Sequence, residues 1–150
     1  MRIVLQRVSE ASVRIDGSIC GQIDHGMLVL LGIEELDEKE DVDWLIQKLI
    51  ALRIYCDENG KMNHSIQDVK GSFLVVSQFT LFASTKKGNR PSYIKAARPE
   101  KAIPLYDYFI SELGGKSCLS VETGQFGADM KVSLVNDGPI TIVIDSKNRE

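Results

Sequence analysis

The chain predicts one mixed α/β domain in which sheet predominates and two main helices cover it. Three observations carry that reading. Its 150 residues suit one domain with a real core and are too few for two ordinary ones. Apolar residues at 43% and charged residues at 26% are the mix of a folded chain. Short β-branched runs bounded by glycines or Asp-Gly share the chain with two stretches of helical spacing, without repeat, low-complexity segment or linker.

The elements follow in order. "RIVLQRV" and "ASVRI" both alternate, and Asp16-Gly17 turns the chain toward "SICGQI", so these read as antiparallel strands. "GMLVLLGI" (26–33) is a continuous apolar run between glycines, as in a strand buried on both faces. Val42, Leu45, Ile46, Leu49 and Ile50 fall at i, i+3, i+4, i+7 and i+8, the stripe of a helix, and Asp37 with Glu40 resembles a capping box before it. "SFLVVSQFTLF" (72–82) reads as one long strand. A second helix is expected between Pro99 and Gly114-Gly115, with Ala102, Leu105, Phe109 and Leu113 inward and the glycines as its stop. "SCLSVET", "MKVSLV" and "ITIVID" are three further strand runs.

Between the last two stands "NDGPIT" (136–141). Asp-Gly between strand runs is a strong hairpin signal, because type I′ turns need positive φ at both central residues. Pro139 spoils it: it restricts the residue before it and gives no N–H to a ladder.

Charge and cysteines narrow the function classes. Net charge is −3, yet from Val69 to Pro99 there is no acid while Lys70, Lys86, Lys87, Arg90, Lys95 and Arg98 all fall there. A local basic strip on an acidic protein can hold phosphates, although a solvated basic loop has the same composition. Cys20, Cys56 and Cys118 lie far apart with no Cys-x-x-Cys spacing, and read as buried thiols rather than a disulfide frame or zinc site. With no apolar run of membrane-spanning length and no signal-peptide pattern, a cytoplasmic protein is expected.

Most recognisable catalytic motifs are absent from the sequence. His25 and His64 lack any nucleophile or metal-type motif nearby, and there is no P-loop, Gly-x-Ser-x-Gly elbow or Gly-x-Gly-x-x-Gly fingerprint. No metal or cofactor is expected. What remains is "SQFTL", where Ser77, Gln78 and Thr80 interrupt an apolar strand. Buried polar groups need partners, so these residues either bind something or mark the strand's emergence into solvent. Met130 in "FGADM" reads on its own as a core methionine.

Taken together, "SQFTL" (77–81), "KKGNRPSY" (86–93), "FGADM" (126–130) and "NDGPIT", with the opening "MRIVLQRVSEASVRIDG" and "GMLVLLGI", resemble the D-aminoacyl-tRNA deacylase (D-Tyr-tRNA deacylase) family over Met1 to Asp145. The resemblance implies a homodimer of three-layer β/β/α architecture, one domain over 1–150. It implies hydrolysis of the ester between a D-amino acid, or glycine mischarged on tRNA-Ala, and the terminal adenosine of tRNA. By the same resemblance Gly138-Pro139 is a cis bond that reaches into the partner subunit's pocket and excludes L side chains, with Arg7 and Asn136 in support. Ser77, Gln78, Phe79 and Met130 would hold the adenosine and aminoacyl group. The backbone N–H groups of Phe79 and Thr80 would form an oxyanion site, with the substrate's ribose 2′-hydroxyl assisting water. Thr80 as covalent nucleophile is the alternative within this chemistry, without a visible base to activate it. Lys86, Lys87 and Arg90 would meet tRNA phosphates. Two other classes stay open: a non-catalytic tRNA-binding module, and a structural oligomer built on edge strands.

Overall fold

In the computed structural model, which describes residues 1–149, two long strands organise everything else. Strand β1 (Arg2–Ile15) joins the two opening runs into one. Along one edge it pairs with β8 (Lys131–Asp145) from end to end, antiparallel. Along its other edge it pairs first with β3 (Gly26–Gly32) and then with β2 (Ser18–Ile23). β3 runs parallel to β6 (Ser72–Ser77), which runs parallel to β7 (Val121–Thr123). The sheet is therefore mixed and six-stranded, and a short β4–β5 pair (Tyr55–Cys56, Met62–His64) stands outside it.

β1 can serve both partners because it is irregular. The register against β8 shifts around Ser9, and one extra residue in a strand reverses which side chains face which side. Before the shift Ile3 and Leu5 enter the main core; after it Ala11 and Val13 join Val8 in a second cluster on the opposite face. β3 and β6 feed both by alternation, with Met27, Val29, Phe73 and Val75 to one side and Leu28, Leu74 and Val76 to the other. The sheet then rolls up until its far strands meet: a Cβ on Gly21 of β2 would lie 2.5 Å from the Thr123 carbonyl of β7.

Two helices cover the main core. Helix α1 (Lys39–Ala51) presents Val42, Leu45, Ile46 and Leu49 inward, as the spacing predicts. Its box lies one residue later than expected, with the Asp41 carboxylate accepting the Glu38 N–H at 2.9 Å. Asp37 is instead fully buried and pairs with the α-ammonium of Met1. Helix α2 (Pro99–Ser117) runs through Gly114-Gly115 and ends where Cys118 takes a left-handed conformation, φ 56°. Its last turn is held by side chains: the Ser117 hydroxyl donates to the Leu113 carbonyl at 2.6 Å, and Gln67 donates to the Ser117 carbonyl at 2.9 Å. Pro104 sits in the second turn, where its missing N–H removes only one helical bond.

Three further expectations are corrected. "SFLVVSQFTLF" is not one strand: β6 stops at Ser77 and a 3-10 turn occupies Phe79–Phe82. "KVSLV" and "ITIVID" are a single strand, so "NDGPIT" connects no hairpin. All three cysteines are free and exposed, because each stands at a strand edge or an element end.

Candidate active site

Two places gather the residues that the sequence singled out. The first is the end of β6. The parallel ladder with β3 continues one residue past the strand, Gln78 N–H donating to the Leu31 carbonyl at 2.8 Å, and the chain then turns tightly. Leu81 N–H reaches the Gln78 carbonyl at 3.2 Å and Ala83 N–H the Thr80 carbonyl at 3.0 Å. A single 3-10 turn leaves its leading N–H groups without partners inside it, and here those belong to Phe79 and Thr80. Gly32 makes the close approach possible, since a Cβ there would lie 3.0 Å from both the Gln78 carbonyl oxygen and Leu81 Cβ. Arg2 fixes the far side of the turn, donating to the Leu81 carbonyl at 2.7 Å and to the Asp145 carboxylate at 2.8 Å.

A small cavity of about 60 Å³ opens beside this turn. Ser77, Gln78 and Phe79 form one wall, and Leu31, Ile33, Ala97, Ala102, Phe126 and Gly127 the rest. The Gln78 amide donates to the Thr80 hydroxyl. Among the described residues no histidine, lysine or carboxylate hydrogen-bonds Thr80, so nothing there activates it as a nucleophile. Tyr106 backs the wall: its hydroxyl donates to the Val75 carbonyl at 3.0 Å, its ring meets Phe126 edge-on, and burial pushes its pKa up to about 12.

Met130 does not line this cavity. It is half-buried on the second cluster, its sulfur against Gly124, where the segment that delivers Phe126 and Gly127 begins. Phe126 and Gly127 carry no chemical signal of their own in the sequence, although both belong to the "FGADM" motif.

The second place is the "NDGPIT" segment, and it answers the puzzle of Pro139. Gln6 pairs with Thr141 and Val8 with Asn136, so the single residue Arg7 stands opposite four, Asp137 to Ile140. The motif is a wide bulge within a strand, which proline tolerates because no ladder bond is asked of it. Arg7, 8% exposed, fills the gap. Its Nε donates to the Asp137 carbonyl at 3.0 Å and its Nη1 to the Ile54 carbonyl at 2.5 Å. Asn136 closes the bulge from within, its amide donating to the carbonyls of Arg7 (3.1 Å) and Ile140 (2.8 Å). Below the guanidinium lies the Tyr55 ring, whose buried hydroxyl has no hydrogen-bond partner among the described residues. Gly138 has φ 132°, a conformation reserved for glycine, and the Gly138-Pro139 bond is cis. Both residues are exposed, and neither lines the cavity beside Phe79.

Lys86, Lys87 and Arg90 are exposed on the loop after the 3-10 turn, and none of them pairs with a carboxylate among the described residues. Reciprocal backbone bonds between Ser84 and Ser92, 2.8 and 2.9 Å, close the loop, and Ala97 N–H ties its exit to the Ile33 carbonyl at 2.9 Å.

The chain that carries these two places matches known proteins over its full length. The profile described as D-Tyr-tRNA(Tyr) deacylase matches residues 4–145, and the chain belongs to that family. Proteins named D-aminoacyl-tRNA deacylase from Bacteroides fragilis (strain YCH46) and Flavobacterium johnsoniae are 61% and 60% identical to it, each over 150 residues and 100% of both chains. A solved structure titled "c-Myc DNA Unwinding Element Binding Protein" superposes with a TM-score of 0.90 at 38% identity, covering 97% of this chain and 98% of the other. Another, titled as a probable eukaryotic D-amino acid tRNA deacylase, shares the fold at 15% identity and a TM-score of 0.80, covering 95% and 97%.

Proposed function

We propose that this chain hydrolyses the ester joining a D-amino acid to the terminal adenosine of tRNA, and glycyl esters mischarged on tRNA-Ala, while rejecting L-aminoacyl esters. The observation that carries this is the cavity beside Phe79. Phe79 lines it and opens the 3-10 turn whose leading N–H groups have no partner inside the turn. Thr80, outside the lining, is hydrogen-bonded by Gln78 and has no activating base among the described residues, in a chain whose full-length relatives are named D-aminoacyl-tRNA deacylase. Water adds to the ester carbonyl, and the N–H groups of Phe79 and Thr80 receive the charge that develops on its oxygen. The carbon–oxygen bond to the ribose then breaks. The ribose oxygen takes up the proton that water gives up, with the neighbouring 2′-hydroxyl as the relay.

The selectivity reading rests on the bulge. A cavity of about 60 Å³ takes the ester end of the substrate and not a whole nucleoside, so the site needs a second wall. We assign that wall to Gly138 and Pro139 of a second copy in a homodimer: they are exposed, rigidly held by Arg7 and Asn136, and idle in their own chain. Their carbonyls would accept the substrate's α-ammonium and leave no room on the side where an L side chain projects. Glycine has no side chain to exclude and would enter. Met130 supports the same pocket from behind Gly124, and Lys86, Lys87 and Arg90 hold tRNA phosphates in the cytoplasm, where charged tRNA is used.

Release of labelled amino acid from D-Tyr-tRNA tests the reading. Catalytic turnover supports it. An ester that stays intact or becomes protected makes the chain a tRNA-binding module instead.

A further inference from the structure

Phe79 and Tyr93 are two large aromatic side chains left in the open, 55% and 40% exposed, and they touch each other. Their centroids are 5.1 Å apart and their planes meet at 75°. An edge-on pair covers only one face of one ring, so the remaining faces stay available to a flat ligand. Neither ring is on a free-floating segment. Phe79 opens the 3-10 turn and lines the cavity, while the backbone of Ser92 is tied to Ser84 and the Tyr93 carbonyl accepts from Ala96 N–H at 3.0 Å.

The surroundings say what kind of flat ligand. Lys86, Lys87, Arg90, Lys95 and Arg98 all lie exposed on the same loop, and no acid occurs from Val69 to Pro99. An apolar partner would gain nothing from five uncompensated cations, whereas a polyanion carrying aromatic bases satisfies both features. Single-stranded nucleic acid is bound in this way, by bases stacked on aromatic rings beside a cationic track.

We propose that Tyr93, with Phe79, forms a stacking ledge for an unpaired base of the RNA strand that leads into the cavity. The base is that of the nucleotide just before the terminal adenosine. This deepens the deacylase reading by assigning the next subsite outward. Stacking asks only for a π face, so the ledge works for every tRNA alike and adds no preference among amino acids.

Binding alone tests it, independently of hydrolysis. The probes are a short RNA hairpin ending in unpaired C-C-A and the same hairpin with both cytidine bases removed. For the wild-type protein, base removal should weaken binding by about 5- to 150-fold, the range that one stacked base commands. Tyr93→Ala should bind the intact hairpin weakly and be nearly indifferent to base removal, and Tyr93→Phe should restore the difference. Wild-type indifference to base removal overturns the ledge, and so does a Tyr93→Ala variant that still senses the missing bases. Hydrolysis of D-tyrosyl-adenosine, which lacks the upstream nucleotides, separates the two readings. Turnover of that compound together with base-indifferent binding leaves the deacylase standing and removes the ledge alone.

Discussion

Arg7 carries the heaviest structural duty of any polar side chain in the bulge, and its removal has a size that can be worked out. Its guanidinium makes two hydrogen bonds to carbonyls, Ile54 at 2.5 Å and Asp137 at 3.0 Å, within a site where the residue is 8% exposed. Hydrogen bonds to a charged donor contribute about 1.5–3 kcal/mol each. The Asp137 carboxylate, 3.3 Å away, has a side chain 48% exposed, so the ion pair itself adds no more than about 1 kcal/mol. Arg7→Ala should therefore cost about 3–5 kcal/mol, a fall in Tm on the order of 10 °C for a chain of this size. Arg7→Lys keeps the charge but not the fork and should lose roughly half as much, whereas Asp137→Asn should cost less than about 1 kcal/mol. Urea unfolding reads all three, provided the slope stays constant. An Arg7→Ala protein within about 1 kcal/mol of wild type would refute the assignment of Arg7 as the strut of the bulge, since the two lost bonds alone exceed that.

Other outcomes follow from the same geometry. Thr80→Ala should retain turnover within ~10–100-fold, as expected of misplacement rather than of a lost nucleophile, and a substrate ending in 2′-deoxyadenosine should bind and resist hydrolysis; an acyl group trapped on Thr80 would reinstate the threonine. Replacing Lys86, Lys87 and Arg90 with Ala should weaken every tRNA alike and flatten the salt dependence by roughly 2–3 in log–log slope; unchanged affinity at low salt would make the strip a solvated loop. The Asp41 and Asp145 carboxylates are partly desolvated, which alone would raise their pKa values. Hydrogen bonds outweigh that and hold both low: from Lys147, Glu38 N–H and Ser146 for Asp41, and from Lys147 N–H, Arg2 and Asn148 N–H for Asp145. A carboxylate depressed on folding lends stability that is present above its unfolded value and lost as pH falls through the lower folded one. Stability should thus decline below about pH 4, less steeply in Asp41→Asn, with acid titration of the unfolding midpoint as the measurement.

Periodicity made the α1 stripe and the alternation of β3 and β6 readable, because burial on a repeating face is a local property of the sequence. What it missed depends on non-local pairing. Nothing in "KVSLVNDGPITIVID" says that both halves follow one neighbour; that is fixed by β1, where Arg7 alone spans four residues opposite. Likewise "ITIVID" looks like any buried strand, yet Val143 is 63% exposed because it alternates with Ile142 and Ile144, which pack against the main core, and so faces the uncovered side. Ser77, Gln78 and Thr80 were legible as an interruption, and the structure shows its form: the end of β6 and a turn rather than polar residues within a strand. Asp37 looked like a cap because its spacing to Glu40 fits one, and only the fold brings Met1 to it. The Cys residues looked apolar enough to bury, but each falls at an edge or element end.

The central claim is stereoselective ester hydrolysis, and competition measures it most directly. Equal amounts of D-Tyr-, glycyl- and L-Tyr-tRNA, each with a distinct label, are mixed with enzyme, and the free amino acids are followed through a single turnover. The D and glycyl labels should be lost while the L label remains on tRNA. Release of the L-amino acid at a rate comparable with the D form would contradict the claim, because the second wall proposed for Gly138 and Pro139 would leave no place for that side chain.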